Sequence, residues 1–502
     1  TTTQRKVDRK VLKFEWSNSD DTYLAENGSA MLETSNTHVE KIEDFEETNL
    51  LKGNVRNDSL SQNRLTELMN KELTKISLSD FNEIRSIIGI VLSSSYNSAK
   101  IPLARSWSET GLHKELVAQL QFTYNTPRAF QMQTITASLM FKDIMGISPT
   151  GSGKTVAFLA PLLNFLKYLP VIPKEKHMEG PYAIVLGPTR ELVIQLHSVF
   201  EKISPYPFIR SKVFIGGREK YSIADLSCEI VFATVGRMRD LVENNDISLN
   251  QCCYVIIDEA DAMIRENLST DLEYILDSIN DERNKSDDSS QVLRQETEMS
   301  DFDNIYKVTQ IYSATMPSEL MEIAKKFLRC PLTITIEEQK ERFKRDHLFD
   351  LVPEDRGGNN LELKINMLLH WLKRLEPQTI VFFNNKSVLD SVYLKVKRNI
   401  EMSIDVYHSG FEQVKREKVL TEFRNGNVQI LFSTDLASRG IDVISVNTVI
   451  NFDCPKSIET YIHRSGRAAR GDKRGTVLSL IEEGNRQIFN DLNFFLENNE
   501  LP

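Results

Sequence analysis

Residues 254–261 read YVIIDEAD, an uninterrupted apolar run that stops on two carboxylates. A run so short and so apolar predicts a strand covered on both faces, because parallel strands under helices are continuously hydrophobic rather than alternating. The same pattern occurs in AIVLGP (183–188), EIVFAT (229–234) and VTQIYSAT (308–315), each ending in small, polar or turn-forming residues ahead of helical spacing. It restarts in TIVFFNN (379–385), VQILFSTD (428–435) and VNTVINFD (446–453). An α/β chain with two parallel-sheet domains in series is therefore expected.

Length and composition agree with that reading. The 502 residues exceed what one core organises, and 40% hydrophobic with 26% charged residues is the balance of a globular protein. No run of eighteen apolar residues occurs, so no membrane span is expected. The net charge of −10 argues against coating of nucleic acid by bulk positive charge but leaves a local groove open. Residues 361–487 carry 19 Lys and Arg against 15 Asp and Glu, so the positive balance sits in the second domain. Cys228, Cys252, Cys253, Cys330 and Cys454 form no CxxC pair and read as small buried apolar residues of a reducing compartment.

Residues 1–100 are expected as an N-terminal extension, disordered to about residue 60. Leu65, Leu68, Met69, Leu73 and Ile76 then recur at helical spacing, for a helix that packs on its own domain or docks a partner. The first domain is placed at 101–340 and interrupted at 281–307 by an acidic stretch read as a flexible insertion. A linker at 341–360, a second domain at 361–487 and a short tail at 488–502 complete the division.

Upstream of YVIIDEAD, residues 148–155 read SPTGSGKT. Glycines in such a loop let backbone amides turn inward on phosphates; Lys154 then reaches the β- and γ-phosphates and Thr155 offers a hydroxyl to Mg²⁺. The loop is a loose fit to GxxxxGK[ST], so it gains its force from Asp258 and Glu259 at a strand end in the same domain. Asp258 suits the second Mg²⁺ contact and Glu259 can orient or deprotonate the attacking water.

Together these motifs resemble the DEAD-box RNA helicases of superfamily 2, over roughly residues 105–487. Gln131 in PRAFQ (127–131) resembles the glutamine that reads adenine, and Trp107 stands near the aromatic that packs on the base. PTREL (188–192), GG (216–217) and TVGR (234–237) resemble the first domain's RNA-backbone contacts, and SAT (313–315) the element coupling ATP to RNA. VFFN (381–384), HSGFEQVKR (408–416), STDLASRGID (433–442) and HRSGRAAR (463–470) follow in the family's order. TVGR departs from TPGR, and HRSGRAAR from HRIGRTGR, while keeping the histidine and all three arginines.

The resemblance implies two tandem RecA-like domains that bind ATP and Mg²⁺ through Thr150, Gly151, Ser152, Gly153, Lys154, Thr155 and Asp258. It adds Gly440 near the phosphates, Asp442 near the ribose, and Arg467 and Arg470 as arginine fingers. Pro188, Thr189, Arg190, Gly217, Thr234, Arg237, Asn384, Thr434 and Arg439 are the implied RNA contacts, with Ser313 and Thr315 in coupling. A monomeric RNA-stimulated ATPase is the expectation, and an ATP-gated RNA clamp and a DNA translocase are the alternatives. The acidic insert and the motif departures are similar to those of specialised members. They point to a ribonucleoprotein assembly intermediate, with mitochondrial ribosome biogenesis expected and the nucleolus or cytoplasm as alternative sites.

Overall fold

The computed structural model describes residues 58–94, 101–149, 151–173, 179–216, 227–300, 304–336, 345–353, 360–375, 378–435, 446–468, 475–485 and 488–492. Eight strands form the first sheet: β1 (Ile90–Ser94), β2 (Ile144–Ile147), β3 (Ala183–Gly187), β4 (Ser211–Phe214), β5 (Ile230–Thr234), β6 (Tyr254–Ile257), β7 (Val308–Ser313) and β8 (Leu332–Ile336). Their order is β1-β8-β2-β7-β6-β3-β5-β4, and every pairing is parallel except β1 with β8. The second sheet contains β9 (Arg345–Leu351), β10 (Thr379–Phe382), β11 (Ile404–Tyr407), β12 (Ile430–Ser433), β13 (Thr448–Asn451) and β14 (Gly475–Ile481). It runs β11-β12-β10-β13-β14-β9 and is parallel throughout.

The continuous apolar runs are explained by two-sided burial. In β3, Ala183 and Val185 enter one core with Phe158, Leu196 and Phe200, while Ile184 and Leu186 enter the other with Met238, Leu272 and Leu320. The second sheet repeats this, with Ile380 and Phe382 on one face and Val381 and Phe383 on the other. Each fully buried Leu, Ile or Phe contributes about 1.5–3 kcal/mol, so a strand wet on one face would lose much of its support.

Three boundary expectations are corrected. Residues 58–94, expected as an extension, are built into the first domain: the helix Asp58–Asn70 lies beside the helix Leu78–Ile88, and β1 adds a strand to the sheet. The expected single helical stripe through Ile76 breaks because Ser77 starts a new helix, its hydroxyl accepting from the Asp80 amide and Asp80 accepting from the Ser77 amide. Buried Arg105 donates to the Leu68 and Lys71 carbonyls, and Arg85 donates to Gln133 at 2.7 Å, which ties the segment down. Leu68 is buried and Leu65 and Met69 pack against the same core, so this helix serves its own domain. Second, β9 lies in the expected linker, because seven residues of it pair with β14.

Third, residues 281–300 and 304–307 of the acidic stretch are folded rather than loose. It forms a 3-10 turn (Asp281–Arg283) and the helix Ser289–Ser300, which buries Val292 and Met299. Lys285 Nζ, fully buried, donates to Phe141 O at 2.6 Å and to Asp143 at 2.8 Å, while Glu296 pairs with buried Lys142. Asp143 also accepts from the amides of Thr309 and Arg329. Two lysines and two carboxylates thus neutralise one another beneath the starts of β2 and β7. No composition count could see that compensation.

Candidate functional site

Neighbouring strands β2, β7 and β6 end side by side, and their carboxyl ends carry SPTGSGKT, SAT and DEAD respectively. The Ser148 amide donates to Ser313 O at 3.1 Å and the Asp258 amide to Leu186 O at 3.0 Å, so sheet hydrogen bonding fixes both exits. This is the position where open α/β sheets bind ligands. Gly151 and Gly153 have φ of 87° and 91°, the left-handed region that favours glycine, and the helix Lys154–Leu166 starts from Gly153. Backbone amides at a thirteen-residue helix N-terminus face the cleft, an arrangement suited to phosphate. Ser148 and Ser152 hydroxyls meet at 2.8 Å inside the loop.

Lys154 is buried and its Nζ donates to Ser148 O at 2.5 Å. Burial lowers its pKa, the carboxylates of Asp258, Asp261 and Glu259 oppose that shift, and the Arg467 charge adds to it. Arg467 therefore lies within electrostatic reach of the phosphate-loop lysine although the two belong to different sheets. Asp258 is 3% exposed. Burial pushes its carboxyl up to about 7 against the pull of Lys154, and the Glu259 charge raises it further. Glu259 adopts φ 52°, costly for a residue with a Cβ, and its amide donates to Asp258 Oδ1 at 3.0 Å. Crowded carboxylates in a dry site are stabilised by a divalent cation, and hard oxygens suit Mg²⁺. Asp258 and the hydroxyl of Thr155, which follows Lys154 in the helix, are the donor types that fit that ion, and the lysine with the amide cradle fits the phosphates.

Asp261, the last residue of DEAD, is fully buried and joins three elements. It accepts from Thr315 Oγ1 at 3.2 Å, from Arg265 at 2.9 Å and from His463 Nε2 of the second domain at 2.8 Å. Burial alone would raise its pKa, but the hydrogen bond and charge of His463, the charge of Arg265 and a bond from Ser313 hold it well below the usual carboxylate range. Ser313 Oγ also donates to Thr315 O at 2.5 Å. The SAT residues thus touch the DEAD carboxylate that grips the second domain. A second bridge pairs buried Arg416 of HSGFEQVKR with Glu191 of PTREL. Sequence reasoning missed Asp261, His463, Arg416 and Glu191 as site residues; all four stand inside quoted motifs, which was the available signal.

Gln131, the expected adenine reader, is bound to the phosphate loop. Its Nε2 donates to Gly153 O at 3.1 Å and its Oε1 accepts from the Arg128 amide at 2.8 Å. Trp107 is not at the surface of the site. It is 2% exposed, its Nε1 donates to Tyr124 O at 3.0 Å, and its ring belongs to the core, because an indole can satisfy its single donor there.

Among the implied RNA contacts, Thr189 caps the helix Arg190–Ile203 by accepting from the Leu192 amide, directly after Pro188. The Arg190 guanidinium lies 3.1 Å from where a Cβ on Gly216 would sit, so the glycine leaves room for it. Thr234 precedes the helix Val235–Glu243, on which Arg237 faces Asp240 at 3.7 Å. Asn384 is held inside the second domain: its Nδ2 donates to Cys454 O and its Oδ1 accepts from Arg464. Arg464, fully buried, also pairs with Asp435 at 2.6 Å next to half-buried Thr434. Arg467 is buried at the start of the last motif loop. Thr150, Gly217, Arg439, Gly440, Asp442 and Arg470 lie outside the described residues. No helix among the described residues is long and apolar enough to cross a membrane.

Comparison with known proteins gives two family matches: the DEAD/DEAH box helicase domain over residues 128–323 and the helicase conserved C-terminal domain over residues 363–472. The chain is 36% identical over 408 residues to an ATP-dependent RNA helicase, ddx23, of Dictyostelium discoideum, covering 79% of this chain and 48% of that protein. It is 33% identical over 402 residues to the pre-mRNA-splicing ATP-dependent RNA helicase PRP28 of Cryptococcus neoformans, covering 79% and 53%. The chain thus spans about half the length of these relatives. Among solved structures, Saccharomyces cerevisiae Dbp5 bound to RNA and ADP BeF3 shares the fold with a TM-score of 0.63 at 21% identity, covering 79% of this chain and 95% of that one.

Proposed function

Because this chain belongs to the DEAD-box helicase family, we propose that it is an RNA-dependent ATPase that remodels RNA or RNA–protein complexes. The observation that carries this reading is the convergence of Lys154, Asp258 and Glu259 at the carboxyl ends of β2 and β6 on either side of β7, with His463 of the second domain bonded to Asp261 at 2.8 Å and Arg467 buried four residues beyond it. When bound, Mg²⁺·ATP supplies the γ-phosphoryl group and a metal charge that screens it. Lys154 leaves Ser148 O to hold the β- and γ-phosphates, Glu259 orients the attacking water and receives its proton, and Asp258 and Thr155 hold the metal. Arg467, with Arg470 expected beside it, stabilises charge that develops across the cleft, so separation of the domains switches hydrolysis off.

RNA lying across both domains favours the closed arrangement and so raises turnover by population shift. Thr189, Arg190, Thr234, Arg237 and Thr434 would contact mainly phosphates and 2′-hydroxyls, which leaves the core with little sequence preference. The relatives' printed names support pre-mRNA splicing as the setting, in preference to the ribosome-assembly and mitochondrial expectation. A second reading, an ATP-gated clamp with rare turnover, is favoured by the two inter-domain ties, Asp261–His463 and Glu191–Arg416. Steady-state ATP hydrolysis with single-stranded RNA, single-stranded DNA and no nucleic acid separates these. Stimulation by RNA alone is expected. Equal stimulation by DNA overturns the RNA assignment, and RNA binding without turnover establishes the clamp.

A further inference from the structure

The adenine motif PRAFQ places an arginine at the cap of the helix Ala129–Leu139, next to the glutamine that its family resemblance implicates. Arg128 is exposed, yet its guanidinium Nη1 donates to Gly151 O of the phosphate loop. Its backbone amide simultaneously donates to Gln131 Oε1, and Gln131 Nε2 donates to Gly153 O. One helix start therefore holds two alternate carbonyls of the loop, both on glycines with left-handed φ. The fit is close: a Cβ on Gly153 would lie 2.5 Å from Gln131 Nε2 and 3.3 Å from Arg128 Cδ.

Peptide units are planar and trans, so the carbonyl and the N–H of one unit point in opposite directions. Holding Gly151 O outward turns the Ser152 N–H toward the phosphate side, and holding Gly153 O does the same for the Lys154 N–H. Among the described residues the Ser152 amide makes a long 3.4 Å bond to Pro149 O, which a phosphate oxygen can replace. We propose that Arg128 is a positioning residue of the nucleotide site, one that fixes the Gly151–Ser152 peptide with its amide toward the bound phosphates. This inference rests on the reading of SPTGSGKT as a nucleotide site. It assigns Arg128 a role on the phosphates common to every nucleotide, whereas Gln131, which also holds Gly153 O, is expected to act on the base besides.

The test is equilibrium titration of the full chain with fluorescent ADP and GDP. Arg128→Thr is the informative variant, since threonine cannot reach Gly151 O but caps a helix well, so the helix start is preserved. Loss of one charge-assisted hydrogen bond should weaken ADP and GDP equally, by roughly tenfold. Arg128→Lys, which keeps the charge and a donor, should recover most of that loss. Amide exchange at Ser152 should accelerate in Arg128→Thr without nucleotide, and Gln131→Ala should weaken ADP more than GDP. Affinities within twofold of the parent in Arg128→Thr, or a loss confined to ADP, overturn the positioning role. A parent chain that binds neither nucleotide overturns the nucleotide site itself.

Discussion

The charge cluster beneath the first sheet makes residues 281–300 part of the domain, and Glu296→Ala measures how firmly. The substitution removes the carboxylate that pairs with Lys142 Nζ, whose side chain is 2% exposed, while Lys285 keeps Asp143 at 2.8 Å. The buried Lys142 ammonium then loses its paired carboxylate. Breaking a buried pair in this way costs about 3–5 kcal/mol. An upper bound follows from proton loss: bringing a lysine from its ordinary value near 10.4 to neutral at pH 7 costs about 4.6 kcal/mol at 1.36 kcal/mol per unit. The broken-pair range taken under that bound gives an expected cost of about 3–4 kcal/mol. For a domain of this size that is a fall of roughly 6–16 °C in the first-domain melting transition. Calorimetry of the full chain reads the transition, and hydrogen exchange should show the Ser289–Ser300 amides opening with it. Arg294→Ala, on the exposed face of the same helix, should stay within about 0.5 kcal/mol. Replacing the pair by apolar residues, Lys142→Met with Glu296→Leu, should restore most of the stability. A cost below about 1 kcal/mol for Glu296→Ala would refute the clamp. Deleting 281–307 with a Gly/Ser bridge should then likewise destabilise the domain, because Lys142 would lose its pair.

Glu259→Gln should keep ATP affinity, since Lys154 and Asp258 remain, while turnover falls by roughly two to four powers of ten; near-normal RNA-stimulated hydrolysis would remove Glu259 from water activation. Arg467→Lys retains charge but not the planar forked donors, so hydrolysis should drop by at least roughly tenfold with ATP affinity little changed; a loss that only tracks the melting temperature makes Arg467 structural. Asp261→Asn weakens the grip on His463 and Thr315, and RNA stimulation should fall by roughly five- to a hundredfold while RNA-free hydrolysis changes little; unaltered stimulation refutes the coupling path. At pH 8, iodoacetamide should label Cys330 alone in the folded chain, since the other four cysteines are buried. Burial pushes the thiols of Cys228 and Cys252 up to about 12 and Cys454 up to about 11, so their thiolates are scarce at that pH.

The apolar runs marked seven inner strands of the two sheets, β3, β5, β6, β7, β10, β12 and β13, because strands covered on two faces have no freedom to alternate. SPTGSGKT, DEAD and SAT were legible for a similar reason: a loop that wraps phosphate needs left-handed backbone at Gly151 and Gly153, and Asp258 and Glu259 directly follow a buried strand. Whatever depended on partners distant in the chain was hidden. The stretch around Lys285 and Glu296 looks like a solvated acidic loop because its counter-charges, Lys142 and Asp143, stand some 140 to 154 residues upstream. RDHLFDL looks like a linker because its charged, alternating residues suit an edge strand whose partner, β14, comes more than a hundred residues later. Trp107 sits near the adenine motif in sequence but is drawn into the core, where its one donor finds Tyr124 O. His463 reaches Asp261 across 202 positions, and that pairing lies between domains rather than within any motif. Periodicity and motif chemistry are local properties of the chain. The neutralisation of buried charge and the meeting of two domains are properties of its folded proximity, and only the tertiary structure supplies them.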